Sequence, residues 1–568
     1  MSASQNKMKQ HFLLTLLVFC AACSSKPASV APQPTLRDAM NRLQANDVAG
    51  AAKILEDVTK REPTNGRAWR NLGLADQRLK NPDGAIHAYK QALEVDPAVS
   101  TPLFQLAALF ASKHDNEEAF SWLSKAKATH KLDMTQMDAT PELAALKADP
   151  RYAALLPSRK DFDDPFVEPV AIIREWDGEA ANDQFGWIAR SIGDVDRDGV
   201  PDFVTSAPTS KAGGENSGRI YVYSTKSGKL LWKADGHAND QLGTGLEAAG
   251  DVNGDGIPDV VASAPGGGYV NIYSGRDGLV LRTFRAENIN DDFGRHVAGV
   301  GDVNRDGFAD VIVGAPNNSA SGDKAGRAYV YSGKNGSILL TLNGAQANDN
   351  FGSAVTGFSN QKHILLMAGA PGAGPNHTGR TYVYDGLSPV PKFTIESDDT
   401  GAALGLMFLT VLGDVDGDGV PDVYASDWSN SAKGPSTGRV YIHSGKDGHR
   451  LFALTGETAG EGFGTSSSLA GDVDGDGHAD LIVGAWQYSG AAIGGGRAYL
   501  YSGLDGHLIR TYTCKTPGDT FGFDSVAMGD VRGDGMSALL ITSGWSGVHG
   551  YHSGRVFLIS SGVKHQGN

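Results

Sequence analysis

Two hydrophobic rhythms divide the chain. Between residues 35 and 130, apolar and small residues recur at helical spacing. From residue 180 onward, short apolar runs alternate with glycine-rich turns. Each unit of this second region opens on a large apolar residue and a glycine: Phe185-Gly186, Leu242-Gly243, Phe293-Gly294, Phe351-Gly352, Leu404-Gly405, Phe463-Gly464 and Phe521-Gly522. Successive openings lie 57, 51, 58, 53, 59 and 58 residues apart. An apolar strand follows each pair, then in most units an Asp-rich loop and a second strand, such as Asp310 to Ala315. A third strand follows a Gly-Arg pair, as in Gly326-Arg327-Ala328-Tyr329-Val330-Tyr331, and a Ser-Gly turn leads to a fourth, such as Ser337 to Leu342. Four short strands with a period in the fifties predict an all-β seven-bladed propeller over residues 170–563.

The ends of this array predict its closure. The seventh unit stops after its third strand, Arg555 to Ile559, while an orphan strand, Ala171 to Gly178, precedes the first. The orphan aligns with fourth strands such as Leu230 to Gly236, so it is expected to complete the last blade and remove the open sheet edges.

The helical region has its own period. Trp69, Leu72, Gly73, Ala85, Tyr89 and Ala92, ahead of Pro97, recur 34 residues on as Leu103, Leu106, Ala107, Ala119, Leu123 and Ala126, with Phe110 at the place of Asp76. Moving 34 residues back gives Ala51, Leu55, Val58 and Pro63. These spacings resemble the tetratricopeptide repeat, and Asp76 departs from its usual aromatic. An all-α solenoid over residues 35–160 is expected, with a closing helix from Pro141 to Pro157. It serves either as a spacer or as a groove for a peptide partner.

The N-terminus reads as an export signal. Lys7 and Lys9 precede an apolar core from Phe12 to Phe19. The stretch Cys20-Ala21-Ala22-Cys23 resembles a bacterial lipobox, which implies a signal peptide over residues 1–22 and lipidation of Cys23. An ordinary secretory signal cut nearby is the alternative. Residues 23–34 form a Ser/Ala/Pro linker, and Ser24 implies the outer membrane. A multidomain chain suits the length of 568 residues. The net charge of −15 argues against a nucleic-acid partner, and three cysteines allow no disulfide framework.

Much of the negative charge falls in short loops. Asp194, Asp196, Asp198 and Asp202 occupy positions 1, 3, 5 and 9 of one loop, with Gly199 at position 6. The pattern returns at Asp251, Asn253, Asp255 and Asp259, and at Asp302, Asn304, Asp306 and Asp310. It returns again at Asp414, Asp416, Asp418 and Asp422, and at Asp472, Asp474, Asp476 and Asp480. Alternate residues of a tight loop converge on one point, and a calcium ion needs six to eight oxygens there. Magnesium, which demands stricter octahedral geometry, suits the loops less well. Position 12 lacks the Glu of an EF-hand. About five calcium ions are expected, with none in blade four, which lacks the loop, or in blade seven. There Asp530 and Asp534 remain, but Arg532 and Ala538 replace ligands.

The repeats resemble the FG-GAP repeats of integrin α chains over about residues 170–563. That resemblance implies structural ions on the face away from the ligand. On the opposite face, loops between second and third strands begin Ala-Pro in blades one to four. In blades five to seven the proline becomes Trp428, Trp486 and Trp545, with Tyr488, His549, Tyr551 and His552 nearby. Three aromatics at one position of adjacent blades suit a stacking surface for sugars or an apolar protein patch. The alternative is that each fills space between blades. No catalytic constellation emerges. The expected function is a calcium-stabilised, envelope-anchored binding or adhesion scaffold, held to the membrane by its lipid and recognising a protein or glycan. Lectin-like binding, or hydrolytic or lyase activity on polysaccharide or lipid, is the alternative.

Overall fold

The computed structural model describes residues 33–466 and 469–564. The lipobox-like stretch with Cys23 lies outside the described residues. The chain divides into two compact units after Pro97.

The first unit is helical. Helices α1 (Leu36–Gln44), α2 (Val48–Arg61), α3 (Gly66–Arg78) and α4 (Pro82–Val95) form two antiparallel pairs. Thr35, Asp47, Asn65 and Asn81 cap their N-termini by accepting backbone N–H bonds. Ala39, Ala51, Leu55, Val58, Leu72 and Ala75 fill the core. Gly73 shows why the repeat pairs small with large residues. A Cβ there would lie 2.6 Å from the Tyr89 ring, so α3 approaches α4 only without one.

The second unit begins with the third helix pair, α5 (Thr101–Ser112) and α6 (Asn116–Ala128). The unit boundary therefore falls inside the stretch the periodicity marks as one solenoid, because the chain after α6 is bonded to the propeller. Lys131 accepts from the Ile493 N–H at 3.2 Å, Pro165 accepts from Lys515 at 2.7 Å, and Val167 donates to Thr513 at 2.9 Å. The expected single closing helix is instead a 3-10 stretch, Pro141–Ala148, followed by α7 (Pro150–Leu155). Pro150 has no N–H to continue a ladder and restricts Asp149 to an extended conformation, so the helix breaks there. Among the described residues no helix is long and apolar enough to cross a membrane.

Seven four-stranded antiparallel sheets follow. Blade one comprises Ala189–Gly193, Asp202–Ala207, Arg219–Tyr223 and Leu230–Asp235, and the others repeat this meander. The last sheet pairs Ile172–Asp177 with Arg555–Ser560, placing Glu175 opposite Phe557, as the orphan strand predicts. First strands line the inside of the ring, touching the first strands of neighbouring blades. Second strands are buried along their whole length in blades one, two, three, six and seven. Core clusters form between successive sheets. Val204, Ile220 and Trp232 of blade one, for example, meet Val260 and Ala262 of blade two.

The repeated motif residues have local reasons. Phe185, Phe293, Phe351 and Phe463 are buried edge-on against a third-strand tyrosine of their own blade at 5.2–5.9 Å between ring centres. The partner glycine turns the chain at positive φ. At Gly186 (φ 81°) a Cβ would lie 2.6 Å from the Arg555 carbonyl of the preceding blade.

Candidate metal centres and the opposite face

The five Asp-rich loops share one hydrogen-bond scheme. In blade one, Asp194 accepts from the N–H groups of Asp198 and Gly199 at 3.0 and 2.9 Å. Asp202 is fully buried at the start of the second strand. Its Oδ2 accepts from Val195 at 3.0 Å and its Oδ1 from Thr225 at 3.0 Å, tying the loop to the turn between third and fourth strands. Burial pushes the carboxyls of Asp202, Asp259, Asp310, Asp422 and Asp480 up to about 6 despite these backbone donors. Carboxylate oxygens of Asp194, Asp196 and Asp202 lie within 4.8 Å of one another, as do those of Asp414, Asp416 and Asp422, and of Asp472, Asp474 and Asp480.

These loops fit a hard divalent cation. In blades one, five and six the carboxylate oxygens converge, and in all five loops the ninth carboxylate is desolvated, so that added positive charge would relieve it. Asn253 and Asn304 supply amide oxygens at position 3 of blades two and three. Position 5 stands outside the convergent triads. Asp255 and Asp418 face Arg276 and Lys446 at 3.3 and 3.6 Å, and the Ser224 and Ser502 hydroxyls lie 3.5 Å from Asp198 and Asp476.

The two exceptional blades differ from each other. Blade four joins Val355–Ser359 to Ile364–Ala370 by a short turn in which the Asn360 side chain accepts from Lys362 and His363. Blade seven keeps the loop backbone, with Asp530 accepting from Asp534 and Gly535 at 3.1 and 2.8 Å. There the Arg532 guanidinium reaches Asp534 at 2.5 Å, and Ala538 replaces the buried carboxylate.

Strand alternation puts the loops between second and third strands on the other face. Trp486 is 8 % exposed, while Trp428 and Trp545 are half-buried. Trp486 packs edge-on against Trp545 at 4.7 Å and Phe523 at 5.6 Å, and Phe523 meets Trp187 at 4.8 Å. His552 stacks on Trp545 at 5.1 Å and on Tyr551 at 3.6 Å. Burial pushes the His552 imidazole down to about 4. Among the described residues no ring contact joins Trp428 to this cluster. The indole N–H groups of Trp428 and Trp545 have no partner there. The arc thus unites two of the three expected tryptophans with Trp187 and Phe523. Those two were overlooked, although each directly follows a Phe-Gly pair.

The Gly-Arg arginines also carry a role that sequence reasoning missed. Arg219 pairs with Asp235 of its own blade and, at 2.7 Å, with Glu179 on the connection from the preceding blade. Arg327 joins Asn343 and Glu287, Arg439 joins Thr455 and Asp398, and Arg497 joins Thr513 and Glu457. Constant offsets, 16 residues forward and 40 or 41 back, were the available signal. In the closing blade Arg555 is fully buried among Glu175 at 2.5 Å, Asp177 at 3.3 Å and Asp519 at 3.8 Å. Its guanidinium also donates to the Phe162 carbonyl at 3.3 Å.

Comparison with known proteins agrees with this geometry. The FG-GAP repeat family matches residues 185–223, 246–280 and 293–331, and an FG-GAP-like repeat matches residues 414–483. The tetratricopeptide repeat family matches residues 66–99. Integrin alpha-8 of Gallus gallus is 34 % identical over 156 residues, covering 25 % of this chain and 15 % of its own. Integrin alpha-V of Gallus gallus is 30 % identical over 230 residues, covering 36 % and 22 %, and integrin alpha-2 of Bos taurus 29 % over 166, covering 26 % and 14 %. The alignments thus span less than a quarter of these relatives' length. Repeat matches, relatives and the seven sheets agree: the chain carries an integrin-α-like FG-GAP β-propeller preceded by tetratricopeptide repeats.

Proposed function

We propose that this protein is an envelope-anchored binding or adhesion scaffold. Its propeller is stiffened by about five calcium ions on one face and binds a protein or glycan partner on the other. The integrin-α-like propeller and the tetratricopeptide repeats support a protein-binding role. The observation that carries the reading is the division of labour between faces. Five aspartate loops share one face, three of them with convergent carboxylate triads, and the aromatic arc around Trp486, Trp545 and Phe523 lies on the other. Ions held in the loops would offset the charge of the buried ninth-position aspartates and fix each loop against its blade. No step of ligand binding needs to pass through them. Lipidation at Cys23 would supply the anchor, with the Ser/Ala/Pro stretch as tether.

Affinity capture from the native envelope tests the reading. The calcium-loaded chain should retain a partner that Trp545→Ala loses, and chelation should weaken retention by softening the ring. Capture that is equally strong after Trp545→Ala and after chelation would count against it.

A further inference from the structure

Four blades close their arginine clamps with an acid from the preceding connection. These acids are Glu179, Glu287, Asp398 and Glu457, each six residues before an opening pair. Blade four keeps the arginine, Arg380, but Ala345 stands at the acid's position. The other two departures leave no arginine waiting. Blade two has Gly236 there and Tyr269 in place of the arginine, and Arg555 of the closing blade is held by Glu175, Asp177 and Asp519. Beside Arg380 a cavity of about 200 Å³ opens, lined in part by Ala345, Asp349, Ala373, His377 and Tyr382. It is built from blade four and the connection into it, and none of its residues belongs to the aromatic arc.

Blade three shows what the cavity lacks. There Arg327 donates to both oxygens of Glu287 at 3.0 Å. The Asn318 amide nitrogen donates to Glu287 at 3.2 Å and to Asp291 at 2.7 Å. A carboxylate and a nitrogen donor thus bridge the arginine to the aspartate. Blade four retains both outer groups. Asp349 occupies the Asp291 position, is buried, and accepts from the Gln346 N–H at 2.9 Å, as Asp291 accepts from Asn288 at 3.3 Å. Arg380 holds Glu396 of its own blade through Nε at 2.5 Å, as Arg327 holds Asn343. Both middle groups are gone: Ala345 replaces Glu287, and Ala373 replaces Asn318.

The charges select the guest. Arg380 and Asp349 both line the cavity, and Glu396 pairs with Arg380 from its own blade. A bare anion would meet two acids, and a bare cation would meet the guanidinium. A zwitterion finds an opposite charge at each end. The other titratable groups on the wall are the Tyr382 phenol and the exposed His377, whose Nδ1 lies 2.7 Å from the Gly372 carbonyl. An α-amino acid carries its ammonium and carboxylate on one carbon, the close pairing that Asn318 and Glu287 supply in blade three. Room is sufficient, since a water needs only roughly 10–15 Å³ on this measure. We propose that the blade-four cavity binds one free α-amino acid, its carboxylate on Arg380 and its ammonium on Asp349.

Isothermal titration of the full chain, in calcium, with each of the common L-amino acids tests the assignment. At least one should bind, with one molecule per chain. Its amide, which lacks the carboxylate, and its N-acetyl form, which lacks the ammonium, should each bind about tenfold or more weakly. Arg380→Gln should lose about as much. Ala345→Glu supplies from within the acid that the other clamps use. It should abolish binding while the melting temperature stays unchanged or rises, and it keeps the test decisive where Arg380→Gln fails to fold. No binding by any of the amino acids, or binding indifferent to either variant, overturns the assignment. An N-acetyl form that binds as well as the free amino acid also overturns it, because the guest is then the C-terminal residue of a peptide.

Discussion

Chelation at two pH values is the sharpest test of the loops. Extracellular calcium modules bind with Kd near 0.1–1 mM, so at roughly 1 mM calcium each site adds about 0.4–1.4 kcal/mol by mass action. Five sites give about 2–7 kcal/mol, which for a domain this size is about 3–10 °C in melting temperature. The structure adds a sign. Burial pushes the five ninth-position aspartates up to about 6, whereas unfolded aspartate titrates near 3.9. A raised carboxylate favours the folded form while protonated, so the metal-free propeller loses stability as pH rises from about 4 to about 6. Calcium competes with those protons and offsets the charge once they leave. The melting-temperature gap between calcium-loaded and chelated protein should therefore be wide at pH 7.5 and narrow at pH 5. Scanning calorimetry on the full chain reads both. A gap that is absent at pH 7.5, or equal at the two pH values, would refute the argument.

Three further outcomes are expected. Cys23→Ser should move the protein from the membrane to the soluble fraction on cell fractionation, and retention in the membrane would sink the lipid anchor. Trp486→Ala should cost about 3–5 kcal/mol in denaturant unfolding, because the indole is buried among rings. The half-buried Trp545→Ala should cost clearly less and act mainly on binding. Arg555→Met should cost about 3–5 kcal/mol by leaving Asp519 and its neighbours without a counter-charge, whereas Arg497→Met, whose partner Glu457 is exposed, should cost about 1 kcal/mol or less.

The blade period was legible because its marks are local necessities. Phe185 needs a tyrosine of its own blade to lie against, and Gly186 needs room beside the preceding one, so both recur wherever a blade begins. The aspartate loops were legible for the same reason, since their spacing follows from one tight turn. The break at Pro150 was also readable, but the surrounding helical pattern overrode it. The arginine clamps were visible only as offsets between residues that say little alone. The aromatic arc was only half legible: Trp187 and Phe523 lie far apart in the chain, and only ring closure makes them neighbours.

That closure also dictates the order of events during synthesis. Glu175 faces Phe557 across nearly the whole propeller sequence, so the last hydrogen bonds to form join its first strand to its last. Until the ribosome has released residues 555–560, every partly made ring carries two unsatisfied strand edges, one at each end. A nascent chain in that state is the species most prone to pair with another copy. The strand at residues 172–177 therefore waits longest for its partner, and a ribosome stalled in blade seven would leave an open ring with two edges able to template aggregation.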